Sequence, residues 1–351
     1  MAEHFSEKND SENITLLKAQ SPGEEKHPVK YSVRLALAVL MAFTVTFAAI
    51  TIYGDLPVVK GKEAENPASG IQYDRGTPPP ERPVFPTAND DTFPLGDECD
   101  SKHIIVIDCE KYTIVAAKDP LSRAYPASTT KIMTLLVAAE QIKDITDTFT
   151  ITLEITDRMY KENASVADFA AGERVSLHDL LYGMILPSGA DAAVGLAESL
   201  AGSEAAFVKL MNKKVKELGL TDTHFANVTG LFDSENYSTA RDIAVILKAA
   251  MESPLCREIL STYQHTTAAT PEHPEGILLT STLFSYMYGT EPKTAEILGG
   301  KTGYLDESGY CIASFGQNTD TGKEYIVVSL GGSGRWPAFY GQIDLYSAFA
   351  K

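Results

Sequence analysis

The sequence has no CxxC pair and no other cysteine–histidine spacing of the zinc type. Cys99, Cys109, Cys256 and Cys311 each stand alone, which argues against a structural metal. If the folded part lies outside the cytoplasm, these four residues allow one or two disulfides in any of three pairings; unpaired buried thiols stand on an equal footing. A basic excess is also missing. Thirty Lys and Arg against 47 Asp and Glu leave a net charge of −17, so a nucleic-acid partner is not expected. No internal repeat is present. What remains is ordinary for a folded protein, 44% hydrophobic and 22% charged over 351 residues, enough for one large domain or two.

Long uncharged runs are equally scarce, and the one at residues 35–53 stands out. Its 19 residues, LALAVLMAFTVTFAAITIY, would span roughly 28 Å as a helix, about the thickness of a bilayer core. The run is apolar all round, as a membrane span is and a buried amphipathic helix is not. Lys26, Lys30 and Arg34 precede it, and Asp55 follows. That bias predicts a single-pass segment in a cell membrane with its leading side in the cytoplasm. A cleaved signal peptide fits less well, because the run exceeds an ordinary signal core and no small-x-small cleavage site is evident. We therefore expect a disordered cytoplasmic tail over 1–32, a transmembrane helix over 33–53, a Pro-rich extracytoplasmic linker over 54–98 and a folded domain over 99–351. Pro78-Pro79-Pro80 in the linker favours an extended, semi-rigid spacer.

From residue 100 the pattern becomes globular. His103–Asp108 and Tyr112–Ala117 read as a hairpin around the turn Cys109-Glu110-Lys111. Pro126 precedes a helical run from Lys131. Ser176-x-x-Asp179 and Thr239-x-x-Asp242 look like helix-capping boxes, and further helices are expected over Asp191–Ala201 and Glu204–Leu218, the second closed by Gly219. Strands return at Ile297–Thr302, Tyr310–Phe315 and Tyr325–Leu330, and Ala338–Ala350 closes as a helix. Two strands, then helices, then three strands predict an α+β fold: a mainly antiparallel five-stranded sheet with flanking helices and a helical lobe beside it. A cleft between sheet and lobe is a natural site.

Three short motifs carry chemistry. In Ser128-Thr129-Thr130-Lys131 a hydroxyl and an amine three residues apart share a helix face; a neutral amine there can take the hydroxyl proton and leave an activated nucleophile. In Pro187-Ser188-Gly189 the flanking residues argue for a loop between helices that presents the Ser188 hydroxyl. In Gly299-Gly300-Lys301-Thr302-Gly303 a glycine at a strand end lets another backbone approach closely, while Lys301 and Thr302 offer a cation and a hydroxyl to a carboxylate. Taken singly, each also reads as a helix cap, a capping serine or a glycine-rich turn.

Together, in this order, Ser-x-x-Lys, Ser-Gly-x and Lys-Thr-Gly resemble the signature set of penicillin-binding proteins and class A β-lactamases. Over residues 100 to 351 the chain is similar to the serine-type D-Ala-D-Ala carboxypeptidases, the low-molecular-mass penicillin-binding proteins of peptidase family S11. Glu162–Ser165, Leu180–Gly183, Asn227–Leu231 and Tyr237–Ala240 share the resemblance. It implies a β-lactamase or DD-peptidase-like fold and an acyl-enzyme mechanism on peptidoglycan stem peptides. Ser128 would be the nucleophile. Lys131 would be the general base, its pKa depressed by burial and by Lys301, and Ser188 a proton relay. Lys301 and Thr302 would hold the terminal carboxylate, Gly303 would line the substrate site beside them, and the backbone N–H groups of Ser128 and Tyr304 would form the oxyanion hole. β-Lactams would acylate Ser128. No cofactor is implied.

Two departures qualify the resemblance. The family's second motif is usually Ser-x-Asn, and Ala190 stands where the Asn belongs. Losing one charge-assisted hydrogen bond costs about 1.5–3 kcal/mol, roughly ten- to a hundredfold in rate. That motivates a rival reading as a non-catalytic wall-binding relative, although the nucleophile and both lysines remain. Many relatives also carry a β-rich domain and a C-terminal anchor after the catalytic domain; here the N-terminal span is expected to replace that anchor. A serine β-lactamase is the other rival, but Glu162 and Glu173 lie outside any motif for a deacylating carboxylate.

Overall fold

The computed structural model describes residues 85–287 and 289–351. The expected tail and membrane span lie outside the described residues, as does the linker up to residue 84. Among the described residues no helix is long and apolar enough to cross a membrane.

The chain opens with β1 (Phe93–Pro94), β2 (His103–Asp108) and β3 (Thr113–Lys118). The helical lobe follows: α1 (Lys131–Gln141), β4 (Thr148–Thr150), α2 (Leu153–Lys161), β5 (Arg174–Ser176), α3 (Leu177–Ile185), α4 (Ala190–Ala201) and α5 (Glu204–Glu217). Then come α6 (Ala240–Glu252), α7 (Pro254–Ser261), β6 (Gln264–Thr266), β7 (Leu278–Thr280) and α8 (Thr282–Met287). The chain closes with β8 (Ala295–Leu305), β9 (Gly309–Asn318), β10 (Glu324–Gly332) and α9 (Arg335–Phe349).

The main sheet runs β1-β3-β2-β10-β9-β8. The five expected strands are there and mutually antiparallel. The expectation of a five-stranded sheet is nevertheless corrected to six, because β1 adds to β3 in parallel and makes the sheet mixed. A two-residue edge strand containing Pro94, within the stretch read as linker, has no periodicity to betray it. Pro at a sheet edge leaves no ladder bond unmade.

Both faces of the sheet are buried. On β2, Ile105 and Ile107 join the large core shared with the lobe, while Ile104 and Val106 join a second core under α9. On β10, Ile326 and Val328 face the first core, Tyr325 and Val327 the second. This is why these strands read as unbroken apolar runs rather than as alternation. The capping boxes hold: the Ser176 hydroxyl accepts from the Asp179 N–H and that of Thr239 from the Asp242 N–H, each at 3.0 Å. All four cysteines are free thiols, and Cys109, Cys256 and Cys311 are buried.

Two features position the site. Helix α1 is buried from Lys131 to Ala138, at the centre of the lobe, so a polar group on its first turn is withdrawn from water. Strand β8 is a sheet edge, and its unpaired backbone groups can accept an added strand.

Candidate active site

Ser128 sits in a tight 3-10 turn, Ala127–Thr130, that runs directly into α1. The turn is anchored by Pro126, whose carbonyl accepts from the Thr129 N–H at 3.2 Å and the Thr129 hydroxyl at 2.6 Å. Ala127 has φ +48°, a conformation that costs a non-glycine residue of order 1–3 kcal/mol. Its neighbours hold it there. Gly230, at φ +80°, packs so closely that a Cβ on it would lie 1.9 Å from the Ala127 oxygen.

Lys131 Nζ lies 3.1 Å from Ser128 Oγ and donates to the Thr229 carbonyl at 2.6 Å. The side chain is 2% exposed. Burial pulls its pKa down to about 7, with the Asp191 carboxylate pulling the other way. The expected depression is therefore present, but its cause is desolvation; the influence of the second lysine shows on Lys301 instead. Lys301 is equally buried, and burial together with the Lys131 charge drives its pKa well below the usual lysine range. The two amines thus compete for charge in one dry pocket.

A base must be neutral to accept a proton. Acylation by benzylpenicillin is therefore expected to rise about tenfold per pH unit below pH 7 and to level off above it. Rates measured by stopped flow from pH 5 to 9 check this; a profile flat through pH 7 would remove Lys131 from the role.

Ser188 lies between α3 and α4, as Pro187 and Gly189 suggested, with φ +69°. It is 6% exposed, and its hydroxyl has no hydrogen-bond partner among the described residues. A buried hydroxyl left unbonded in a strained loop is poised for a group that arrives with the substrate. Ala190 opens α4, buried, its N–H bonded to the Ser165 carbonyl at 2.8 Å. The Asp191 carboxylate accepts from the Ala167 N–H at 2.8 Å and packs against Gly189, where an added Cβ would lie 2.7 Å from its Oδ1.

On β8, Gly303 lies against the nucleophile turn, where an added Cβ would come within 2.7 Å of the Ser128 nitrogen. The strand thus packs directly on the amide expected to serve the oxyanion. The Thr302 hydroxyl is 2.7 Å from that of Thr282, and Lys301 Nζ donates to the Thr302 carbonyl at 2.9 Å. Tyr304 is half exposed, and its hydroxyl donates to Asp306 at 2.6 Å. Contacts therefore tie Ser128 to Lys131 directly, and Lys301 and Gly303 to the same pocket. Among the described residues no hydrogen bond joins Ser188 to them.

Sequence reasoning assigned no role to three supporting groups. The Thr229 carbonyl orients the Lys131 amine. Asn227 Oδ1 holds that loop by accepting from the N–H groups of Thr229 at 3.2 Å and Gly230 at 2.7 Å. Asp191 biases the Lys131 charge. The Asn-x-Thr-Gly run is an Asx-turn signature, but nothing local says which carbonyl it will present to a lysine 98 residues away. Asp191→Asn is expected to move the acid limb of the pH profile below that of the parent, since the carboxylate favours protonated Lys131. An unmoved limb would show the two groups uncoupled.

A family model described as D-alanyl-D-alanine carboxypeptidase, Peptidase S11, matches residues 88–334. The D-alanyl-D-alanine carboxypeptidase DacF of Bacillus subtilis is 31% identical over 215 residues, covering 61% of this chain and 54% of that protein. DacA of Escherichia coli is 33% identical over 225 residues, covering 62% and 53%. The chain thus spans about half the length of these curated relatives. Among solved structures, a Streptomyces DD-transpeptidase superimposes with a TM-score of 0.62 at 29% identity, covering 71% of this chain and 97% of that one. Penicillin-binding protein 5 of Haemophilus influenzae gives 0.64 at 28% identity, covering 72% and 71%. With the three motifs in order and the family model spanning the described domain, the chain belongs to the Peptidase S11 family of D-alanyl-D-alanine carboxypeptidases.

Proposed function

We propose that this chain is a serine-type D-Ala-D-Ala carboxypeptidase that removes the terminal D-Ala from peptidoglycan stem peptides and is acylated by β-lactams. The observation that carries the reading is the buried Lys131 amine, near pKa 7 and 3.1 Å from Ser128 Oγ. Ser128 Oγ attacks the carbonyl carbon of the penultimate D-Ala while its proton passes to Lys131. The oxyanion is met by the N–H groups of Ser128 and Tyr304. As the C–N bond breaks, the proton returns to the departing D-Ala amine, with Ser188 as relay. Water then cleaves the ester and restores Ser128. The substrate carboxylate is held by Thr302 and Lys301; its approach favours the charged form of Lys301, which burial otherwise opposes.

Neither of the two glutamates weighed for a β-lactamase, Glu162 and Glu173, is free for a deacylating role. Glu162 pairs with Arg158 at 3.1 Å. Glu173 accepts from the Ala170 N–H at 2.7 Å and the Thr270 hydroxyl at 2.8 Å, and lies 3.0 Å from His273 Nδ1. Both serve loop structure. Release of D-Ala from diacetyl-Lys-D-Ala-D-Ala, measured beside nitrocefin turnover, tests the assignment. Peptide release with slow nitrocefin turnover supports it; fast nitrocefin turnover without D-Ala release overturns it, and so does penicillin binding with no peptide turnover.

Single-pass anchoring with the catalytic domain outside the membrane is part of the same proposal. It rests on the uncharged run at 35–53 and the flanking charges. Partition of the full chain into the detergent phase, lost on deletion of residues 33–53, would check it.

A further inference from the structure

At the end of α3 remote from Ser188, two histidines meet one carboxylate. His178 and Asp179 lie on the first turn of α3, and His265 comes from β6, 86 residues beyond Asp179. The Asp179 side chain is buried. Its Oδ2 accepts from the Ser176 hydroxyl at 2.9 Å and from the Ala268 N–H at 3.2 Å. Those donors leave Oδ1 to the imidazoles: His265 Nε2 lies 2.7 Å from it and His178 Nδ1 3.8 Å. The His265 ring stacks on Tyr182, centroids 4.1 Å apart and planes 14° apart, and the Tyr182 hydroxyl donates to Glu258 at 2.9 Å. The His178 ring meets both of those rings at steep angles, at 5.0 and 5.2 Å. Its side chain remains 40% exposed.

A hydrogen bond accounts for His265 but not for His178, whose Nδ1 at 3.8 Å is beyond reach of the shared oxygen. A cation would engage all three groups. One ligand atom from each residue lies within 4.8 Å of the other two. Zinc bonds of about 2.0–2.2 Å set tetrahedral ligand atoms roughly 3.4 Å apart, a spacing bracketed by the 2.7 and 3.8 Å found here. Rotation of the part-exposed His178 ring closes the remaining gap. Two imidazoles and a carboxylate suit Zn²⁺, whereas Ca²⁺ and Mg²⁺ prefer oxygen ligands. The bonds from Ser176 and Ala268 to Oδ2 supply the outer support that fixes a ligating carboxylate. The solvent side of His178 leaves room for water to complete the shell. The cysteine spacing argues only against a thiolate site; these ligands come from two separate elements and leave no spacing motif in the sequence.

We propose that His178, Asp179 and His265 bind one Zn²⁺ ion, which ties the first turn of α3 to β6. The site is separate from the Ser128 reaction and does not depend on it. Calorimetric titration of the full chain in detergent with ZnCl₂ tests the proposal. One equivalent is expected to bind, and MgCl₂ is expected to give no binding. His178→Ala and His265→Gln should each weaken zinc binding by at least about tenfold, with far-ultraviolet circular dichroism unchanged. An ion held only by the folded site must stabilise it. Saturating zinc should therefore raise the Tm of the parent by about 5 °C, and that of His178→Ala by much less. Parent affinity in either variant would place the ion on other histidines and overturn the proposal. No binding at about 100 µM zinc would do the same, as would an unmoved Tm in a parent that binds. Should His265→Gln fail to fold, the part-exposed His178 position decides alone.

Discussion

Ser128→Ala is expected to eliminate the benzylpenicillin adduct and to lower D-Ala release by about 10⁴-fold or more. The mass of the intact chain after incubation with benzylpenicillin reads this directly: one adduct on the parent, on the peptide carrying Ser128, and none on the variant. The size of the effect follows from covalent chemistry, since with the nucleophile gone only binding and oxyanion stabilisation remain. The companion change Lys131→Met keeps the hydroxyl but removes its base, and should cost about 10²–10⁴ in acylation rate. An adduct that persists undiminished on Ser128→Ala would place the reactive hydroxyl elsewhere and overturn the assignment. If both variants matched the parent in stem-peptide binding while the parent formed no adduct, the wall-binding alternative prompted by Ala190 would stand in its place.

The second large effect is expected at a residue with no side chain. Gly303→Ala adds a Cβ that would meet the Ser128 backbone nitrogen at 2.7 Å. Backbone cannot rotate away as a side chain can, so either β8 or the Ala127–Thr130 turn must move. Both carry an amide of the proposed oxyanion hole. A displacement of about 1 Å at a reacting centre costs on the order of a hundredfold. Acylation is therefore expected to fall about 10²-fold or more, with far-ultraviolet circular dichroism unchanged. Wild-type acylation in Gly303→Ala would show that β8 need not touch the nucleophile turn.

How much of this was legible depends on the range of the physics involved. Helix caps at Ser176 and Thr239 are decided within four residues, and the structure reproduces them. The Ser128–Lys131 pair is likewise one helical turn and needs no tertiary information. The strands of the central sheet were readable as apolar runs because both their faces are covered. By contrast β1, two residues long and stabilised only by β3, left no local trace. Neither did the two small two-stranded sheets, β4–β5 and β6–β7, whose three-residue strands are too short to show a period.

The sequence by itself determined which groups could react and in what order they occur: a serine with an amine one turn away, a second serine in a loop between helices, and a glycine-flanked lysine and threonine on a strand. Only the tertiary structure decided their state. Burial at the centre of the lobe, not proximity in sequence, brings Lys131 to about pKa 7, and the same pocket drives Lys301 down. The carbonyl that orients Lys131 comes from Thr229, 98 residues away. Desolvation depends on everything packed around a group, and packing joins residues that no local pattern relates.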